Sequence, residues 1–470
     1  MRISSLLLST EQAENAISQT TWLAVISLFL GAACIQLVIM RYFNGQMAPE
    51  VFAGSLRQLV QIGDTPPLIK SFASYLSSHV TVATYTLHLA LFFAGALLIL
   101  RIFIVLGAIL MFFGFILLWG LTYTAENSWY FEFLSPALFA LILAISVYTL
   151  HRNPLHDLRS QILGTVLAPK ISLLTWSYWV FIASALLFGI FVMSRNGGDY
   201  VFTVSFLSSI LIAALSIISK FLDRYRIVPP RQNSTLLLGR WIDLFTITIG
   251  VMLIFQVFED ALLNWFTVEG YRGLVNSYAE YGNTPTWYRS MLTWVANHAE
   301  IFMPIQRVFE IFAAICMVIL IFRFPIVLMT TGLFAILSFT EFGITNVWPP
   351  APGKPPAWVF ELLLTTLVSF TCGLYYLLEA MARKSWKYWV MGPKVFDSIS
   401  ALDKYFLLVF LFIIEIIVFS VTPTTRENKF IALHFTALST VPLLYIIIVL
   451  DKYRVFNSSF PEEPHRNQPH

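Results

Sequence analysis

The chain has 470 residues, 58% of them hydrophobic and only 12% charged, with a formal net charge of +3 and a mean hydropathy of +0.75. Soluble domains carry about a quarter charged residues, so these figures exclude a water-soluble fold. No nucleic-acid motif is present, and the basic segments flank apolar runs, so the charge is read as topology rather than as a nucleic-acid surface.

The opening segment, "MRISSLLLSTEQAENAISQ", is a short apolar patch followed by polar residues without a cleavage site. It reads as a retained lead-in over 1–19. Apolar runs of the ~20 residues that a helix needs to cross a bilayer core then recur along the chain. They lie near 20–42, 81–100, 102–121, 129–150, 171–194, 201–221, 241–258, 303–322, 324–345, 357–380, 404–422 and 430–450. The alternation of barrel strands is absent, and a lipid-exposed span satisfies its backbone as helix. The expectation is an all-α polytopic membrane protein of about 12 transmembrane helices.

Two pairs of runs abut at Arg101 and Arg323. A continuous helix of ~60 Å would overshoot the bilayer, so each joint is read as a tight hairpin, helped at the second by Pro325. Both arginines are expected to snorkel to water there. Most of the 29 Lys and Arg fall on the side of the N-terminus, the even-numbered joints and the C-terminus. The positive-inside rule then makes both termini cytoplasmic and turns the long loops near 43–80 and 259–302 outward.

Four short patterns recur in the same order. "LDRYRIV" (222–228) returns as "LDKYRVF" (450–456), and "APKIS" (168–172) as "GPKVF" (392–396). "WYFEFL" becomes "WVFELL", and "LRIFIVL" (100–106) becomes "FRFPIVL" (322–328). The separations run from 222 to 229 residues. The chain reads as a six-helix unit used twice in parallel, an arrangement that gathers polar residues where the halves meet. The expected divisions are a four-helix unit over 20–150, a linker and helix pair over 151–230, a second four-helix unit over 231–380, a linker and helix pair over 381–456, and a polar tail over 457–470.

Ionisable groups inside the spans are costly, so they mark partners or cavities. Glu310 precedes Arg323 by thirteen residues, as His88 precedes Arg101, which puts each ~20 Å toward the outer face. At that level Glu341 ends one span and Glu361 opens another beside Trp358. Glu126, Glu132 and His88 form the first-copy set, and Glu259 and Asp260 end the seventh span. A glutamate one turn into a helix is also favoured by the helix dipole, and an interfacial Trp is an ordinary anchor, so Glu132 and Glu361 keep a purely structural alternative. Convergence of Glu310, Glu341 and Glu361 would shift their protonation and suit a proton, a cation or a polar headgroup. Arg307, three residues before Glu310, is a candidate partner. His298 and Glu300 in "NHAE" are a weak metal suggestion, and no metal site is assigned. Cys34, Cys316 and Cys372 lie in apolar runs and read as small hydrophobes. No CxxC, HExxH, GxGxxG or Walker loop occurs.

Over roughly 240–380 the chain resembles the DoxX/DoxD superfamily of four-helix membrane proteins. The resemblance rests on Arg240 in "GRWIDLFTITIGVMLIF", on Glu310 and Arg323 in "FEIFAAICMVILIFRFPIVL", on a third span, and on "WVFELLLTTLVSF". The segment near 20–150 shares the pattern less fully, with His88 in place of the glutamate. The family includes subunits of thiosulfate:quinone oxidoreductases and proteins of redox homeostasis. The resemblance therefore implies a bacterial inner membrane, a link to quinone or sulfur chemistry, and a protein partner, with quinone implied as cofactor by resemblance alone. Three functions stay open: binding a small polar or quinone-like ligand in an outer-half acidic pocket together with a partner, proton-coupled secondary transport, and membrane assembly or cargo handling without a ligand.

Overall fold

The computed structural model describes residues 19–43, 45–61, 67–121, 134–151, 200–222, 241–262, 264–280, 284–344 and 360–383. Among them every regular element is a helix. The expected spans near 171–194, 404–422 and 430–450, the lead-in and the tail lie outside the described residues.

In chain order the helices are α1 (Gln19–Phe43), α2 (Pro49–Gln61), α3 (Pro67–Ser78), α4 (Val80–Leu100), α5 (Ile104–Leu121), α6 (Leu134–His151) and α7 (Tyr200–Leu222). They continue with α8 (Trp241–Leu262), α9 (Val268–Glu280), α10 (Thr286–Asn297), α11 (Ala299–Ile319), α12 (Arg323–Ile344) and α13 (Phe360–Arg383). Five stretches are long and apolar enough to cross a membrane: Trp22–Phe43, Val80–Leu100, Ala299–Val318, Arg323–Thr340 and Leu363–Ala380. Shorter apolar stretches lie on α5, α6, α7 and α8. This is the composition of an α-helical membrane protein.

The segments expected as long loops near 43–80 and 259–302 are instead helical hairpins, α2–α3 and α9–α10. Pro49 and Pro67 open α2 and α3 at the first helical position, where their missing N–H costs nothing. Phe52, Leu56 and Leu59 form one buried stripe on α2, while Glu50 and Arg57 face outward. On α9 the stripe is Tyr271, Val275 and Ala279, which packs with Tyr288, Leu292 and Ala296 of α10. These amphipathic helices define a hairpin end of the bundle, opposite the tight turns at Arg101 and Leu320.

Local geometry recurs at a spacing of 219 residues. His79 sits at the kink between α3 and α4, with Nδ1 3.2 Å from the Tyr75 carbonyl. His298 sits between α10 and α11, with Nδ1 2.8 Å from the Trp294 carbonyl. Each ring also rests on that aromatic side chain, 4.9 Å between centroids in both cases. At the other end α4 closes on Arg101 in the left-handed region (φ 56°) and α11 on Leu320 (φ 58°), followed by Phe103 (φ 46°) and Phe322 (φ 50°).

These turns correct the register drawn from "LRIFIVL" and "FRFPIVL". Arg101 caps α4, whereas Arg323 is the first residue of α12. At the 219-residue spacing of these turns Arg101 falls opposite Leu320 rather than Arg323, and His88 opposite Arg307 rather than Glu310.

Packing is reciprocal. Helix α1 packs on α4 as α8 packs on α11, and α5 pairs with α6 as α12 pairs with α13. Across the middle, α1 meets α13 and α8 meets α6. There Trp22 meets Tyr375 edge-on at 6.2 Å, and Phe139 meets Phe245 at 6.0 Å. One continuous apolar core runs through both sets of helices.

Candidate functional site

Polar side chains collect at two levels of the second half. At the hairpin end, the last turns of α8 contribute Gln256 and Asp260, which face the same way because they are four residues apart. Helix α11 contributes Gln306, Arg307 and Glu310, and α9 contributes Tyr271. The Arg307 Nη1 donates to Asp260 Oδ2 and, at 2.6 Å, to Glu310 Oε2. Gln256 Nε2 donates to Asp260 Oδ1 at 2.7 Å, and Gln306 Nε2 donates to Glu310 Oε1 at 2.8 Å. Tyr271 ends the chain of bonds by donating to Gln306 Oε1 at 2.8 Å. The guanidinium carbon lies 5.1 Å from the centre of the Phe266 ring and 5.7 Å from that of Tyr271, within cation–π range.

Asp260, Arg307 and Glu310 are all buried. One guanidinium therefore faces two carboxylates away from water, a net negative charge if both are ionised. Asp260 stands in the last turn of α8, at the level where Arg307 and Glu310 lie on α11. Burial raises the Tyr271 phenol, which stays a hydrogen-bond donor. The Arg307 Nε–H is buried without an acceptor among the described residues.

The second cluster is at the tight-turn end. Arg323 Nη1 donates to Asp243 Oδ1 and Nη2 to Glu379 Oε2, both at 3.3 Å. Tyr376 donates to the same Asp243 oxygen at 2.6 Å, and its hydroxyl lies 2.8 Å from Thr246 Oγ1. The Tyr376 ring lies under the guanidinium at 4.5 Å. Arg323 is only 1% exposed. The expectation that it snorkels to water is corrected: α8 and α13 supply carboxylates that hold it inside the bundle. Arg101 is half-buried rather than free in water, its Nε donating to Ser219 on α7 at 3.1 Å.

Of the residues singled out from sequence, Glu310 and Arg307 come together, joined by Asp260. Glu341 and Glu361 belong to α12 and α13, and Glu259 to α8, but their side chains lie outside the described residues, as do Trp358, Glu132, Glu126 and Arg240 entirely. His88 is fully buried on α4 and pairs with Arg41 of α1. Glu300 pairs with Arg272 at 3.3 Å. Among the described residues no group of three or more His, Cys, Asp or Glu is placed to hold a metal ion. Cys34, Cys316 and Cys372 are buried free thiols.

The sequence reading missed Asp243, Glu379, Tyr376, Gln256, Gln306 and Tyr271. The signal for the last three was the run "QRVFE" on α11, whose polar positions at spacing three and four demand matching polar positions on the helices beside it. No family model, curated protein or solved structure matches this chain.

Chemically, the hairpin-end cluster combines two carboxylate acceptors, one shared cation and one buried donor that has no acceptor among the described residues. Such a site holds a proton, or binds a small polar group that accepts from Arg307. The tight-turn cluster uses its cation to lock three helices together.

Proposed function

We propose that the chain is a DoxX-like inner-membrane protein built from two tandem copies of one helical unit. Its hairpin end faces outward and both termini are cytoplasmic. The function is recognition of a small polar ligand carrying a carbonyl acceptor, a quinone head group being the class that the resemblance implies, at the Asp260–Arg307–Glu310 cluster and in concert with a partner protein. The recurrence of hinges and turns 219 residues apart supports the tandem reading. The excess of Lys and Arg on one side of the spans supports the orientation.

The observation that carries the functional reading is the Arg307 Nε–H, buried beside two carboxylates with no acceptor among the described residues. A buried donor left unmade costs about 1–3 kcal/mol, and a ligand carbonyl would recover that cost. The test is equilibrium binding of a short-chain quinone to the purified full chain, followed by tryptophan fluorescence. Arg307→Lys keeps the charge but has one point donor instead of a fork, so affinity should fall by about tenfold, the equivalent of one hydrogen bond. Absence of any quinone binding to the wild type would remove the ligand reading.

A second reading, proton-coupled transport, is favoured by the surplus carboxylate. Asp260 and Glu310 share the single cation of Arg307, which leaves one carboxylate to take up and release a proton. Asp260→Asn removes that surplus and should abolish uptake driven by a pH gradient into proteoliposomes. Uptake by the variant equal to that of the wild type would remove this reading.

A further inference from the structure

The hairpin end of the first half has the same helical frame as the cluster but not its carboxylates. At the spacing of 219 residues Arg41 takes the place of Asp260, and His88 the place of Arg307. Every other polar member is replaced by an apolar residue: Gln256 by Leu37, Tyr271 by Phe52, Gln306 by Leu87 and Glu310 by Leu91. Leu37, Phe52, Leu87 and Leu91 are all buried in the core.

What remains is one polar pair. Arg41 Nε donates to His88 Nε2 at 3.0 Å, so that nitrogen carries the lone pair. The other ring nitrogen, Nδ1, then holds the proton and donates to the Thr84 carbonyl at 2.7 Å. The imidazole is thereby a neutral acceptor and supplies no counter-charge. Arg41 is half-buried, and among the described residues its side chain has no carboxylate partner. At the end of a membrane-crossing helix this cation has, among the described residues, no anion of the kind that the second half supplies from its own side chains.

We propose that Arg41, held by His88, is a receptor for an oxyanion at the hairpin end of the first half, either the phosphate of an anionic lipid headgroup or a free phosphate. Its Nε is fixed by the imidazole, so the two Nη groups are left as a fork, the geometry that matches phosphate oxygens in pairs. Arg41 is the third residue from the end of α1, the depth at which a long cationic side chain reaches the headgroup layer. This proposal does not depend on the ligand assigned to the other half.

The test uses the full chain, stripped of lipid in detergent, and native mass spectrometry with phosphatidylglycerol or phosphatidylcholine added in equal amounts. The wild type should retain one phosphatidylglycerol per chain in preference to phosphatidylcholine. R41Q should retain about tenfold less, and R57Q, at an exposed arginine on α2, should match the wild type. If lipid is not retained but inorganic phosphate raises the thermal midpoint of the wild type and not of R41Q, the oxyanion is the soluble one and the site stands. R41K keeps the charge without the fork and guards against misfolding of R41Q; it should retain less lipid than the wild type. Equal retention by the wild type and R41K, equal retention of the two lipids, or indifference of the wild type to both lipid and phosphate overturns the proposal.

Discussion

Replacing Arg323 with alanine is expected to destabilise the fold by about 3–5 kcal/mol, the range for removing one partner of a buried ion pair. The residue is 1% exposed, and its cation is shared by Asp243 at the start of α8 and Glu379 near the end of α13. Without it, two carboxylates face each other inside the bundle, and Tyr376 loses the cation over its ring. The expected readout is loss of the monodisperse peak on size-exclusion chromatography after detergent extraction. The charge argument makes a second demand. Combining Arg323→Met with Asp243→Asn and Glu379→Gln removes the stranded charges and should restore most of the peak, because replacing a whole buried ionic group by neutral residues is often tolerated. A triple variant no better than Arg323→Ala would show that packing, not charge, fixes these three helices.

That cluster also marks where the sequence stops being readable. Length and hydropathy place the nine long described helices, because a span of ~20 apolar residues declares itself without reference to any other part of the chain. Asp243 and Glu379, by contrast, stand near the ends of their helices, where a lone acid reads as an interfacial residue. Their partner is 80 and 56 residues away, and no local pattern encodes a pairing that depends on how helices pack. Arg323 was misread for the same reason: an arginine at a tight joint looks like a snorkelling residue until the neighbouring helices are known to offer carboxylates.

The hairpins were missed differently. Their helices carry a buried stripe such as Phe52, Leu56 and Leu59 among polar residues, so averaging hydropathy over a span length hides them, although the spacing of four and three and the leading prolines are visible. Matching Arg101 to Arg323 is natural in letters, but the left-handed turns fall at Arg101 and Leu320. At the 219-residue spacing of those turns Asp260 falls opposite Arg41 and Arg307 opposite His88, matches that letters alone do not suggest. Glu310 and Arg307 were legible because they are three residues apart on one helix, whereas their junction with Asp260 required the packing of α8 on α11.

Substituting leucine for Gly31 is expected to separate α1 from α4 and to cost about 3 kcal/mol or more, the upper range for overpacking. The two helices cross where Gly31 faces Gly95. A Cβ on Gly31 would lie 2.8 Å from the Gly95 carbonyl oxygen and 3.0 Å from the Ile99 backbone nitrogen. Backbone atoms cannot rotate away, so the axes must move apart, and dispersion contacts along the crossing weaken together. In a membrane there is little hydrophobic drive to hold helices at a wider separation, which is why small residues mark such crossings. Even Gly31→Ala should lower the thermal midpoint. Gly332 on α12 is the control, since a Cβ there meets nothing within 4 Å and alanine is the better helix former by about 1 kcal/mol. Gly332→Ala should therefore be neutral or stabilising, and equal thermal shifts for Gly31→Ala and Gly332→Ala would mean that close approach of α1 and α4 does not hold the first half together.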